Sequence, residues 1–198
     1  AVRMRPRTLD ELEGQAHLLT PGSPLRRLVE PSQTAEQVDT GVRGGSNARR
    51  PGASLSSVIL WGPPGTGKTT LAHIIANTTH ATFVEVSAIT GTVKDLRREV
   101  DAAKSRLLMQ GRRTILFVDE IHRFNRSQQD ALLHAVEDRT VILIGATTEN
   151  PYFEVNSALI SRSRVIELTP LDDVSLRELL YRALVDEDGL RGAFTIKD

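Results

Sequence analysis

One run of residues has the composition and spacing of a site for a phosphate-bearing ligand. The run fits the pattern G-x-x-x-x-G-K-[ST] and consists of Gly62, Pro63, Pro64, Gly65, Thr66, Gly67, Lys68 and Thr69, followed by Thr70. Its glycines allow successive backbone N–H groups and a helix N-terminus to face phosphate oxygens. Lys68 would bring positive charge to the β- and γ-phosphates, and the Thr69 hydroxyl could coordinate Mg²⁺. The run therefore predicts a binding site for ATP with Mg²⁺.

Two adjacent carboxylates, Asp119 and Glu120, follow the apolar run at residues 115–118. Open α/β sheets bind ligands at the carboxyl ends of their strands, where these residues would lie. We expect Asp119 to join the coordination shell of Mg²⁺ and Glu120 to polarise the attacking water. Because the second carboxylate supplies a base, the pair favours ATP hydrolysis over phosphoryl transfer to a small molecule.

Two further positions are candidates for catalysis. Polar residues at 147–150 end another apolar run, and among them we expect Thr148 to contact the γ-phosphate or its water. Arg162 precedes the next apolar run and is a candidate for stabilising transition-state charge, an effect worth about 10³- to 10⁵-fold in rate. The five histidines lack the spacing of metal ligands, so we expect no transition-metal site.

Alternating strands and helices are predicted to position these residues. Five short apolar runs have the pattern of buried strands and cover 57–61, 82–86, 114–118, 141–146 and 164–168. Helical patterns cover 68–77, 93–107 and 126–137 between them, with further helices at 23–29 and 174–184. This alternation predicts a three-layer α/β fold with a parallel sheet and right-handed crossovers.

Composition narrows the class of protein. The 198 residues suffice for one domain and part of a second, and the absence of cysteine excludes disulfides and thiolate zinc sites. No apolar run approaches the roughly 20 residues of a membrane span, so we expect a cytoplasmic protein without a membrane partner.

Equal numbers of basic and acidic residues, 25 each, imply that any DNA contact is local. Residues 31–54 are polar and glycine-rich, which predicts a flexible loop or insertion.

The combined motifs resemble those of AAA+ ATPases of the clamp-loader clade: the phosphate loop, Asp119-Glu120, Thr147-Thr148 and Ser161-Arg162. The strings at residues 4–12, 119–125 and 145–151 are similar, more narrowly, to the RarA/MgsA family, whose eukaryotic relatives are the Werner-helicase-interacting proteins. This resemblance implies a P-loop NTPase core with a five-stranded parallel sheet in the order 5-1-4-3-2. It places the core in residues 1–170 and the beginning of a truncated helical lid in 171–198. The remaining lid, its sensor-2 arginine and an oligomerisation region are then expected beyond Asp198.

The same resemblance implies functions for the chain and for single residues. Family members are DNA-dependent ATPases of replication-fork maintenance, DNA repair and recombination. They form homo-oligomers and are linked to single-stranded-DNA-binding protein, which implies a cytoplasmic, nucleoid-associated location. Thr148 would be the sensor-1 residue, and Arg162 would be an arginine finger that acts on ATP bound by the neighbouring subunit. Residues 14–18 match the stretch that lies beside the adenine.

Two other functions stay open at this stage. A clamp-loader subunit or a Holliday-junction branch-migration motor would share the phosphate loop and the Thr-Thr strand end. A nucleotide-gated adaptor, which changes shape without useful turnover, is a different class, and Glu120 argues against it because a switch can dispense with a base. Whether the chain by itself binds nucleotide and is active also stays open.

Overall fold

A computed structural model describes residues 5–20, 23, 25–26, 56–186 and 189–190 of the chain. Two predictions lie wholly or largely outside these residues. The loop or insertion predicted at 31–54 is not among them, and of the helix predicted at 23–29 only Leu25 and Arg26 are described as helical. Of residues 171–198, the structure describes 171–186 and 189–190, and the boundary placed at residue 170 stays a prediction.

The described part of the chain contains one sheet of five parallel strands. They are β1 (Ser57–Trp61), β2 (Thr82–Ser87), β3 (Thr114–Asp119), β4 (Ile142–Thr147) and β5 (Ser163–Glu167). The strand order is β2-β3-β4-β1-β5, which is the predicted order 5-1-4-3-2 read from the opposite edge. All neighbouring pairs are parallel. The predicted α/β class and sheet order are therefore confirmed.

Helices precede, connect and follow these strands in the described part of the chain. They are α1 (Ala16–Leu19), α2 (Lys68–Thr79), α3 (Val93–Gln110), α4 (Arg126–Glu137), α5 (Pro151–Glu154), α6 (Ser157–Ser161) and α7 (Asp173–Val185), with a 3₁₀ turn at Ile121–Arg123. Capping boxes fix where the two amphipathic helices α3 and α4 begin. Thr92 and Asp95 exchange hydrogen bonds at the start of α3, and Asn125 and Gln128 do so at the start of α4.

The core lies on both faces of the sheet because neighbouring strand residues point to opposite sides. On one face, Leu60 and Phe117 pack in a cluster with Leu71 of α2. On the other face, Ile59 and Leu116 belong to a cluster that also holds Leu96, Leu132 and Leu159 from α3, α4 and α6. The three central strands β1, β3 and β4 are buried almost throughout, as strands covered on both faces should be, whereas the edge strands β2 and β5 are partly exposed. The result is the predicted three-layer arrangement.

Helix α7 follows the sheet and contacts the N-terminal segment. Its Arg182 Nη1 donates to the Glu11 carbonyl at 3.2 Å. The helix has no buried residue, and Val174, Leu180 and Tyr181 on it are exposed. No helix in the described part of the chain is both long and apolar enough to cross a membrane.

Candidate functional site

The predicted phosphate loop connects β1 to α2, and two of its glycines are required by its shape. Gly62 has a φ of +147°, and a Cβ placed there would lie 2.2 Å from the Leu168 carbonyl oxygen. Gly67, the residue before α2, has a φ of +93°, a region that side chains with a Cβ avoid. The backbone thus turns tightly out of β1 and delivers the N-terminus of α2 to the carboxyl edge of the sheet.

Lys68 begins α2 and is largely buried, with only 8% of its surface exposed. Its Nζ donates to the carbonyl oxygens of Gly62 at 2.7 Å and Pro63 at 2.9 Å, so the ammonium is held over the loop. Burial lowers the pKa of Lys68, while the negative charges of Glu120 and Asp119 act in the opposite direction. A bound phosphate would add negative charge and favour the protonated form of Lys68.

The other predicted residues continue the loop and begin α2. Thr66 is buried, and its hydroxyl donates to the Pro63 carbonyl at 3.0 Å. Pro63, Pro64 and Gly65 are exposed, whereas Thr69 and Thr70 are half-buried in the first turn of α2. Residues 62–67 thus form the loop between β1 and α2, and residues 68–70 begin the helix, as the sequence predicted.

The two carboxylates lie where β3 ends. Asp119 is the last residue of β3, and its Oδ1 accepts a hydrogen bond from the Glu120 N–H at 3.1 Å. Because β3 and β4 are neighbours, Glu120 meets the residue that follows β4: the Thr148 hydroxyl donates to Glu120 Oε2 at 3.2 Å. The fold therefore brings together a candidate base and a candidate γ-phosphate sensor that are 28 positions apart in sequence.

The residues proposed for Mg²⁺ fit that ion by their chemistry. Thr69 and Asp119 offer hydroxyl and carboxylate oxygens, which Mg²⁺ prefers. Within the described ranges, no three His, Cys, Asp or Glu side chains form a group that could hold a metal ion. Mg²⁺ typically takes one or two protein ligands and completes its shell with phosphate and water, so two ligands are enough.

Arg162 lies near the amino ends of the strands, whereas this site lies at their carboxyl ends. It immediately precedes β5, whose Ser163 is paired with Ser57 at the beginning of β1, whereas the phosphate loop follows the end of β1. A five-residue strand spans roughly 16 Å at about 3.3 Å per residue, so Arg162 and Lys68 do not share a site within one chain. The structure thus brings Lys68, Asp119, Glu120 and Thr148 to the carboxyl ends of the strands and places Arg162 at the amino end of β5.

Two residues near the site have contacts that the sequence reasoning did not assign. His122 Nδ1 lies 2.9 Å from Thr147 Oγ1 and 3.2 Å from Glu120 Oε2. Gln15, from the stretch expected beside the adenine, is completely buried, and its Nε2 donates to the carbonyls of Thr169 at 2.8 Å and Thr66 at 3.4 Å. The sequence signal for His122 is its position three residues after Asp119.

Comparison with known proteins places this arrangement in a family. The family model described as "ATPase family associated with various cellular activities (AAA)" matches residues 58–171. Replication-associated recombination protein A of Escherichia coli is 47% identical over 192 residues, which are 97% of this chain and 38% of that protein. ATPase WRNIP1 of Dictyostelium discoideum is 38% identical over 208 residues, covering 99% of this chain and 21% of that protein.

A solved structure shows the same fold. The RuvB Holliday junction branch migration motor of Thermotoga maritima aligns with a TM-score of 0.68 and 31% identity, covering 91% of this chain and 54% of that one. The chain spans 38% of the Escherichia coli relative and 21% of the Dictyostelium discoideum relative, well under half of either protein. The chain belongs to the AAA family of ATPases, in the group that contains replication-associated recombination protein A and WRNIP1.

Proposed function

We propose that this chain is the ATP-binding and ATP-hydrolysing core of a DNA-dependent ATPase that acts in replication-fork maintenance, DNA repair and recombination. The observation that supports the chemistry is the meeting of Lys68, Glu120 and Thr148 at one edge of the sheet. The names of the relatives, replication-associated recombination protein A and WRNIP1, support the biological role. Because the chain covers only 38% and 21% of those two relatives, the role of the whole protein belongs to the proposal.

Binding of the nucleotide follows from the loop. Its backbone N–H groups and the N-terminus of α2 would receive the phosphates of ATP, and Lys68 would neutralise charge on the β- and γ-phosphates. Thr69 and Asp119 would hold Mg²⁺, which neutralises charge that develops on the phosphates during transfer. Because Lys68 already contacts Gly62 and Pro63, a triphosphate would exchange those carbonyl contacts for stronger ones to charged oxygens.

Hydrolysis requires an oriented water and a place for its proton. Glu120 would accept that proton, and Thr148 beside it would contact the γ-phosphate or the water. Arg162 would act on ATP held by a neighbouring copy, because its place at the amino ends of the strands separates it from the phosphate loop of its own chain. The proposed catalytic unit is therefore a homo-oligomer.

The proposed partners are DNA in single-stranded or forked form and single-stranded-DNA-binding protein. With a formal net charge of zero, DNA affinity would come from local arginines or from assembly. The proposed location is the cytoplasm, in association with the nucleoid. A Holliday-junction motor is the second candidate, favoured by the RuvB likeness, but the relatives with higher identity over nearly the whole chain favour the first.

ATP turnover measured with single-stranded, forked and four-way-junction DNA tests this proposal, beside a mass measurement in solution. We expect turnover to rise with single-stranded or forked DNA and to be lost in Lys68→Ala, which should also lose ATP binding. Lys104→Ala, which removes an exposed lysine from α3, is the matched control. Unchanged ATP affinity in Lys68→Ala would refute the phosphate-loop assignment, and stimulation by four-way junctions alone would favour the second candidate.

A further inference from the structure

We propose that His122 is a positioning residue that orients the carboxylate of Glu120 for attack by water. The inference deepens the proposed function, since it rests on Glu120 being the base. No motif considered in the sequence assigned His122 a role. Its imidazole lies between the ends of β3 and β4, where it contacts both Glu120 and Thr147.

The backbone around His122 is fixed by packing. His122 is the middle residue of the 3₁₀ turn, and Ile121 before it is completely buried. A Cβ on Gly145 of β4 would lie 2.9 Å from Ile121 Cδ1, so the absence of a side chain there lets the turn approach the strand closely. The Arg123 N–H donates to the Glu120 carbonyl at 2.8 Å and closes the turn. The His122 side chain, with 15% of its surface exposed, has little freedom to move away.

The hydrogen bonds of Thr147 favour one tautomer of His122. The Thr147 hydroxyl donates its hydrogen to the Glu149 carbonyl at 3.2 Å and accepts from the Glu149 N–H at 3.0 Å. With the hydroxyl hydrogen directed at Glu149, the remaining lone pair accepts from His122 Nδ1, at 2.9 Å. An ionised Glu120 is also only an acceptor. We therefore expect Nδ1 to carry a hydrogen, which it donates to Thr147 while lying 3.2 Å from Glu120 Oε2.

This arrangement restrains one oxygen of the base and leaves the other available. Glu120 Oε2 receives a hydrogen bond from the Thr148 hydroxyl at 3.2 Å and lies 3.2 Å from His122 Nδ1. Oε1 of the same carboxylate takes no hydrogen bond from the residues that the structure describes. Glu120 itself has a φ of +53°, a left-handed conformation that costs a non-glycine residue about 1–3 kcal/mol. The Thr148 hydroxyl and the adjacent His122 ring hold Oε2 of this carboxylate in place, so that Oε1 can receive the proton of water.

The kinetic test compares His122→Leu with His122→Asn. Leu removes the donor but fills similar space, whereas the Asn side-chain N–H can occupy the place of Nδ1–H. We expect His122→Leu to lower kcat by about 10- to 100-fold, with KM for ATP within about threefold of wild type, because misplacement of a catalytic group costs rate rather than binding. His122→Asn should keep at least about a third of wild-type kcat. Equal loss in both folded variants, or an unchanged kcat in His122→Leu, would overturn the proposal.

A second measurement does not depend on turnover. Long-range proton–nitrogen NMR of the wild-type chain reports which ring nitrogen of His122 is protonated. We expect a protonated Nδ1, and an unprotonated Nδ1 would overturn the inference even if the chain hydrolyses ATP. If instead the wild-type protein shows no ATPase activity while Nδ1 is protonated, the proposed function fails and the contact of His122 with Glu120 stands. The same spectrum decides the matter if His122→Leu does not fold.

Discussion

Arg162 Nη2 lies 2.8 Å from Glu137 Oε1 of its own chain, so the candidate arginine finger forms an ion pair within its own subunit. Glu137 is the last residue of α4, and Arg162 stands directly before β5. The side chains are 35% and 43% exposed, respectively, and ion pairs of this kind contribute at most about 1 kcal/mol. Contact with a neighbouring γ-phosphate, a stronger partner for an arginine, would therefore be able to replace it.

Replacing Glu137 by Gln should weaken the hold on Arg162, whose Nη1 also donates to the Ala158 carbonyl and Ser161 Oγ, with little effect on the fold. We expect the free energy of unfolding to change by less than about 0.5 kcal/mol, because the pair is exposed. Turnover should reach half its maximum at a lower protein concentration, since Glu137 no longer competes for the guanidinium. An ATPase titration against protein concentration measures this, with Glu178→Gln, an exposed carboxylate on α7, as the control. A loss of turnover as large as that of Arg162→Ala would show that Glu137 positions the arginine instead.

Mixing two inactive variants tests whether Arg162 acts between subunits. Arg162→Ala keeps an intact phosphate loop, and Lys68→Ala keeps an intact arginine, so a mixed assembly contains some complete sites. We expect the mixture to regain a fraction of wild-type ATPase activity, measured over a range of mixing ratios. A mixture that stays inactive, although mass measurement shows mixed assemblies, would contradict action between subunits.

Glu120→Gln should separate binding from hydrolysis. The Gln carbonyl can still accept from Thr148, but it cannot take up the proton of water. We expect ATP affinity within about threefold of wild type and single-turnover hydrolysis slower by about 10²- to 10⁴-fold, the usual contribution of a general base. Glu149→Gln makes the same charge change at an exposed position beyond β4 and should hydrolyse ATP normally. Near-normal single-turnover rates in Glu120→Gln would rule out its role as the base.

Gly62→Ala should destabilise the protein through the turn out of β1. The new Cβ would lie 2.2 Å from the Leu168 carbonyl, so the backbone after β5 would have to shift. We expect a loss of roughly 1–3 kcal/mol in the free energy of unfolding, measured in urea. Gly65→Ala is the matched control in the same loop, because its Cβ would meet no atom within 4 Å and only the cost of its φ of +79° remains. Equal losses in the two variants would show that the close approach to Leu168 is not the cause.

Strand positions were predicted to within a residue or two because the apolar patterns that specify them are local. The prediction began β4 at Val141, but the Val141 N–H bonds to the Ala135 carbonyl in the turn after α4, and the strand begins at Ile142. The prediction ended β5 at Leu168, and the structure ends the strand at Glu167 although the Leu168 N–H still bonds to the Trp61 carbonyl at 2.8 Å. These differences arise because strand ends depend on partners that are remote in sequence.

Local sequence specifies the phosphate loop and its place before a helix, because glycines, Lys68 and the flanking apolar runs act over a few consecutive residues. It also specifies that Asp119 and Glu120 stand at the end of a strand. Which side chains meet across those elements depends on the tertiary fold: Glu120 with Thr148 and His122, and Gln15 with Thr169, 154 positions away. Such contacts follow from strand order and helix packing, which join distant segments, so the local pattern around each residue does not contain them.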